Sequence, residues 1–166
     1  MAAPTYPYVP RSNARLLPGE FWAIPLSTGR HACGVVLGAG RAEDEPTFAP
    51  SNRAFLAGLL GWEGDAPPTA DAIAGAQVVA QGIAHVKTVT ATGGKILGRA
   101  ASPIAPLTWR SAPSHGDEGW IYEGNERRRP ATAADRDLRL VSAWGYGYMR
   151  ELADRASAAR LGAARG

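Results

Sequence analysis

The sequence predicts a mainly β protein: a small SH3-like or strongly bent antiparallel β-barrel with long loops and a C-terminal helix. Three observations carry this expectation. The 166 residues include 20 glycines and 13 prolines, about a fifth of the chain, and both residue types weaken helix interiors. The apolar runs are short, rich in aromatic and β-branched residues, and bounded by turn formers. Only beyond Gly147 does the apolar spacing turn helical. With 45% apolar residues the chain can bury a core, and its length suits one domain.

The elements follow in order. Pro4, Pro7 and Pro10 with Tyr6 and Tyr8 between them make residues 1–14 an extended arm, because proline fixes its own φ and restricts its predecessor. The two tyrosines are placed to pin it to the body. Residues 15–126 form the barrel domain. Glu20 to Leu26 reads as a strand with Pro25 marking its end or an edge. Ser27-Thr28-Gly29-Arg30 supplies a turn, and His31 to Leu37 returns as the second strand of a hairpin. Gly38-Ala39-Gly40 and the acidic Glu43-Asp44-Glu45 follow as a loop. Residues 53–62 fit helix or strand by period, and the internal Gly58 and Gly61 favour strand.

Residues 64–76 are a connection in which Thr69 and Asp71 can start a helical turn. Gln77 to Thr90 is a longer strand, broken by Gly93-Gly94, with Lys95 to Gly98 returning as a short one. Residues 99–119, with Pro103, Pro106 and Pro113, read as irregular surface loop, and Trp120 to Glu123 as a last short strand of the domain. Residues 127–166 form a basic tail, strand then helix, packed on the same domain. Leu138 to Trp144 alternates as a strand. Gly145 and Gly147 are the joint to a helix whose stripe is Tyr148, Leu152 and Ala156, with Met149 and Leu161.

Charge narrows the function classes. The formal net charge is +3, yet residues 1–126 hold 9 basic and 11 acidic side chains, and residues 127–166 hold 9 and 4. The basic excess therefore belongs to the tail, where solvated helix faces are its ordinary use; acidic partners or nucleic acid are the functional alternative. No apolar run approaches the roughly 18 residues of a membrane span, and Met1-Ala2-Ala3-Pro4 opens no signal peptide. Cys33 stands alone and forms no intramolecular disulfide. The expectation is a cytoplasmic protein that makes no use of membranes.

The sequence offers little chemistry. His31 and Cys33 share a strand face, but no second Cys/His pair completes a metal site, and the apolar setting favours a buried cysteine over a nucleophile. Thr92-Gly93-Gly94-Lys95 fails the phosphate-loop pattern, with Val89 and Ile96 where glycine and a hydroxyl residue are required. Gly38-Ala39-Gly40 lacks the third glycine of a dinucleotide fingerprint. Ser114 lies outside a nucleophile elbow because residue 112 is Ala. An enzyme built on His31, Cys33 or His115 would need a pocket that collects them. No catalytic, cofactor or metal residue is assigned, and the expectation is a protein that is not an enzyme.

Leu17-Pro18-Gly19-Glu20-Phe21-Trp22-Ala23-Ile24-Pro25-Leu26, then Gly29-Arg30 and Gly34-Val35-Val36-Leu37, resembles the opening of bacterial immunity proteins of the immunity protein 26 family. Gln81 to Thr88 and Gly93 to Gly98 are similar to a later element of that family, so the matching pieces span about residues 16–98. The arm before Arg15 and the basic tail are additions, and Cys33 stands where an aromatic residue is more usual. The resemblance implies an all-β protein that binds and neutralises a cognate toxin from a neighbouring bacterium, and it brings no catalytic residues. The residues themselves offer the partner-binding candidates: the acidic Glu43, Asp44, Glu45, Asp117 and Glu118, with Trp109 and Trp120 as exposed anchors flanking the proline-rich loop. The acidic loop would oppose a basic toxin. The alternative is a nucleic-acid-binding small barrel using Arg127-Arg128-Arg129 beside Trp120 and Tyr122.

Overall fold

Residues 20–25 of the computed structural model, which describes residues 4–39 and 51–165, form the strand β1 (Glu20–Pro25), ending at the proline that cannot extend a ladder. A turn with Gly29 at φ 83° leads to β2 (His31–Gly38), and the two pair antiparallel as the hairpin expected. The acidic residues Glu43, Asp44 and Glu45 lie outside the described residues. β3 (Ala54–Gly64) and β4 (Val78–His85) extend the antiparallel sheet, so Gly58 and Gly61 do sit in a strand. After a short helix α1 (Lys87–Thr92), β5 (Gly98–Arg99) returns to the free edge of β1.

β6 (Thr108–Arg110), β7 (Trp120–Glu123) and β8 (Glu126–Pro130) make a separate three-stranded sheet. β9 (Ala143–Trp144) then joins β4 in parallel, completing the order β5-β1-β2-β3-β4-β9, and α2 (Tyr148–Ala164) closes the fold. The protein is mainly β, with two sheets and a C-terminal helix. Among the described residues no closed barrel is found: β5 and β9 are the two edges of the large sheet.

The large sheet is buried on both faces, which explains why β1 and β2 read as continuous apolar runs. On one face Trp22, Ile24, Val36, Phe55, Ala57 and Ala84 pack with Val89 of α1 and Met149 and Ala153 of α2. On the other, Phe21, Cys33, Val35 and Leu60 meet Ile73 and the segment around Ile104 and Leu107. Leu56 of β3 packs with Trp109 and Tyr122 of the small sheet. Successive residues of β3 thus serve opposite faces, as the pleat requires.

Two strand glycines make room for indoles. Gly34 is the register partner of Trp22, and a Cβ there would fall within that ring; at Gly82 a Cβ would fall within the ring of Trp144.

Four sequence expectations are corrected. The strand expected over Gln77–Thr90 stops at His85, and Lys87–Thr92 is helical. Its β-branched Thr88, Val89 and Thr92 are buried as one helix face, so tertiary burial overrides residue preference. At the end of this helix a Cβ on Gly93 would overlap the Ala23 carbonyl. Residues 99–119, expected to be irregular, contain Arg99 of β5 and all of β6.

The arginine run lies in β8, whose five residues are all exposed and therefore show no apolar alternation. Of the strand expected over Leu138–Trp144, Leu140 makes one bridge to Arg110, and Ala143 and Trp144 form β9. The helix stripe is turned by one residue: Met149, Ala153 and Ser157 are buried, whereas Tyr148 and Leu161 are exposed.

Two buried carboxylates attach the chain's outer parts. Glu20, fully buried, accepts the Tyr6 hydroxyl at 2.9 Å, the Tyr8 hydroxyl at 2.8 Å and the Leu17 N–H at 2.9 Å, and Tyr8 exchanges backbone hydrogen bonds with Ile96. The tyrosines pin the arm. Glu63, at the end of β3, accepts from Arg30 at 2.7 Å, Arg160 at 3.1 Å and the Ser157 hydroxyl at 3.1 Å, while Asp154 accepts the N–H and hydroxyl of Ser27. These bonds explain why a serine lies on the buried face of α2.

Gly34→Ala should lower stability by about 1–3 kcal/mol through displacement of the Trp22 ring, read as a lower urea midpoint with an unchanged slope. The Tyr6 hydroxyl is pushed up to about 12 by burial, then by its hydrogen bond to Glu20 and that carboxylate's charge, and Tyr8 is raised by the same causes. The unfolded chain ionises near pH 10. The arm's contribution is therefore full below that pH and lost as pH rises toward 12. A tyrosinate titration should show a component ionising above the ordinary phenolic range that Tyr6→Phe and Tyr8→Phe each diminish; a late component unchanged in both variants would contradict the pinning.

Candidate partner-binding face

Of the expected site residues that are described, Asp117, Glu118 and Trp120 reach the surface and Trp109 does not. Trp109 is corrected outright: expected as an exposed anchor, it is 2% exposed, and its Nε1 donates to the Gly124 carbonyl at 2.7 Å. The neighbouring prolines suggest a surface loop, but the three-residue β6 turns this indole into the core between the sheets. Trp120 is half-buried, and the Arg127 guanidinium lies 4.4 Å from its ring centroid. Asp117 is exposed, its carboxylate accepting the Gly119 N–H at 2.8 Å. Glu118 is paired with Arg136, whose hydrogen bond holds its carboxyl below the usual carboxylate range. Both acids border an open depression with Pro113, His115 and Arg136, so Asp117 and Glu118 remain surface residues apart from Trp109.

The arginine run is largely engaged within the small sheet. Arg128 pairs with Glu123 at 2.9 Å and Glu126 at 2.8 Å. Arg129 makes a two-pronged bond to Asp135, with Nη1 at 2.7 Å and Nη2 at 2.8 Å. Asp135 also accepts the N–H and hydroxyl of Thr132; with Arg129 foremost, these bonds hold its carboxyl far below the ordinary range. Fork-to-fork pairing of this kind fixes geometry as well as charge.

Cys33 is fully buried and donates weakly to the Gly34 carbonyl, and burial pushes its thiol pKa up. A neutral, enclosed thiol is a poor nucleophile. Among the described residues no group of three His, Cys, Asp or Glu side chains is placed to hold a metal, and no helix is long and apolar enough to cross a membrane.

A different face emerges around the joint between β9 and α2. Trp144 and Tyr148 lie 5.8 Å apart, centroid to centroid, and Arg155 sits 5.7 Å from the Tyr148 ring. Tyr146 meets the His85 ring edge-on at 5.3 Å, with the Lys87 ammonium 5.5 Å from its centroid. Burial, followed by the charges of Arg53 and Lys87, lowers the His85 pKa, so the ring favours its neutral form in a cationic setting. Its Nδ1 accepts the Lys87 N–H at 3.0 Å.

A cleft of about 120 Å³ opens among Leu140, Trp144, Tyr148, Leu152 and Arg139. The available sequence signal was Trp144-Gly145-Tyr146-Gly147-Tyr148, aromatic residues alternating with glycines at a strand–helix joint. Of these rings Trp144 is turned into the core, while Tyr146 and Tyr148 are exposed. On the sheet's other face a larger depression of about 520 Å³ lies between the 70–76 turn and the 100–107 loop. That loop is fixed by Gln81, which both donates to the Leu107 carbonyl and accepts its N–H.

No protein family, curated protein or solved structure matches the chain.

The two tryptophans should separate by mutation. Trp109→Ala should cost about 3–5 kcal/mol through loss of a buried indole, whereas Trp120→Ala should cost clearly less. Urea unfolding of both variants reads the difference, and equal losses would contradict the assigned burial.

Proposed function

We propose that the protein is an immunity protein, binding and neutralising a cognate bacterial toxin by protein–protein contact in the cytoplasm, within a polymorphic toxin system of interbacterial competition. One observation supports the reading most. The segments that carry the resemblance, residues 17–26, 29–30, 34–37, 81–88 and 93–98, fall largely in β1, β2, β4 and β5 of one continuous sheet and at the start of α1 beside it. They are interleaved with β3 and are not scattered over the surface. A resemblance concentrated in the scaffold leaves the loops and the β9–α2 joint free to differ from partner to partner.

The reading requires no catalytic centre in this chain, only a rigid display surface, and the doubly buried sheet supplies one. Nucleic-acid binding through residues 127–129 has less support, because Arg128 and Arg129 are occupied by Glu123, Glu126 and Asp135.

Co-expression with the toxin encoded beside its gene tests the proposal. The protein should restore growth and co-purify with the toxin. Failure of both rescue and complex formation would sink it.

A further inference from the structure

Three of the large apolar side chains that the protein leaves exposed occur within residues 140–148: Leu140 at 46%, Tyr146 at 48% and Tyr148 at 36%. Single exposed apolar side chains are ordinary, but a group of them bordering a cleft marks an interaction surface. Leu140 and Tyr148 are walls of the 120 Å³ cleft, with the Trp144 indole between them. Arg139 lines the cleft, Arg155 lies beside the Tyr148 ring, and Lys87 lies beside the Tyr146 ring. Arg30, Arg128, Arg129, Arg136 and Arg160 all have carboxylate partners. Among the described residues Arg139, Arg155 and Lys87 form no ion pair. Asp154, next to Arg155 in α2, is taken up by the N–H and hydroxyl of Ser27, while Glu151 of the same helix and Asp137, two residues before Arg139, are the other carboxylates near them in sequence.

We infer that this face docks an acidic segment of the partner, which seats one apolar side chain in the cleft between Leu140, Trp144 and Tyr148 and turns its carboxylates toward Arg139, Arg155 and Lys87. The inference rests on the toxin-binding reading and names the chemistry of the partner's contact surface. Large amphipathic rings around a pocket carry the anchoring energy at interfaces, and complementary charge sets register and speeds encounter.

Nucleic acid fits this face less well. Each exposed tyrosine ring already has a cation and a second ring beside it: Lys87 and His85 at Tyr146, Arg155 and Trp144 at Tyr148. Bases need open ring faces on which to stack. A second copy of the chain is disfavoured by charge, since a two-fold contact would bring the same cations together.

Calorimetric titration of the full chain with the toxin encoded beside its gene tests the inference. Tyr148→Ala and the double variant Arg139→Glu/Arg155→Glu should each weaken binding roughly tenfold or more. The double variant should also flatten the salt dependence, and both should keep the native melting curve because the altered side chains are exposed. Arg128→Ala, on the small sheet, should stay within about twofold of the unmodified protein. If the unmodified protein binds and the face variants bind equally well, the inference is overturned and toxin binding stands. If the unmodified protein does not bind, both readings fall. Binding of a fluorescein-labelled oligothymidylate that the same variants abolish, or a dimer in sedimentation that Tyr148→Ala dissociates, would overturn it in favour of that occupant.

Discussion

The indole of Trp22 lies over Gly34, meets the Phe55 ring edge-on at 6.0 Å between centroids, and donates from Nε1 to the Thr92 hydroxyl at 3.0 Å. That one side chain therefore ties β1 to its neighbour β2, to β3 beyond it and to the end of α1. The Thr92 hydroxyl in turn donates to the Thr88 carbonyl at 2.7 Å, so the indole N–H and the Thr92 hydroxyl are both paired inside the core. Gly34 is the complementary requirement. With any side chain there, the ring would be lifted and the spacing between α1 and the sheet would change. The main-chain approach of Gly93 to the Ala23 carbonyl depends on that spacing.

From this centre the outer parts are attached by polar bonds as well as by packing. Glu20 holds the arm and Glu63 holds α2, and both carboxylates are shielded from water with several donors each. A buried carboxylate is costly unless its lone pairs are filled, so these two sites specify where the arm and helix must lie more than they add to stability. Arg150 adds a further link, donating to the Thr92 carbonyl at 2.9 Å and joining α2 to the last turn of α1. The start of α2 is thereby fixed, and with it the position of Tyr148 beside Trp144.

Much of the scaffold was legible because its burial is reported by period and punctuation. The β1–β2 hairpin, β3, β7 and α2 each combine an apolar pattern with a glycine or proline at the boundary. β8 was hidden because all its side chains are exposed, and its pairing comes from β7 alone. α1 was hidden because its buried residues are β-branched, and such residues suggest a strand until a tertiary partner makes their helical face useful. The candidate face was only partly legible. The aromatic–glycine run was visible, but its exposure and its pairing with His85, Lys87 and Arg155 required the fold.

The sequence by itself determined the mainly β class, the hairpin and its proline-terminated strand, the pinned arm and the C-terminal helix. These follow from local chemistry: φ restriction at proline, positive φ at a turn glycine, and apolar spacing. Only the tertiary structure decided that the sheets stay open among the described residues, that Trp109 is inside, and that the arginine run faces its own carboxylates. Those outcomes depend on which distant groups meet. A tryptophan beside prolines reads the same whether a three-residue strand turns it inward or outward. An arginine triplet likewise reads the same before Asp135 is folded against it.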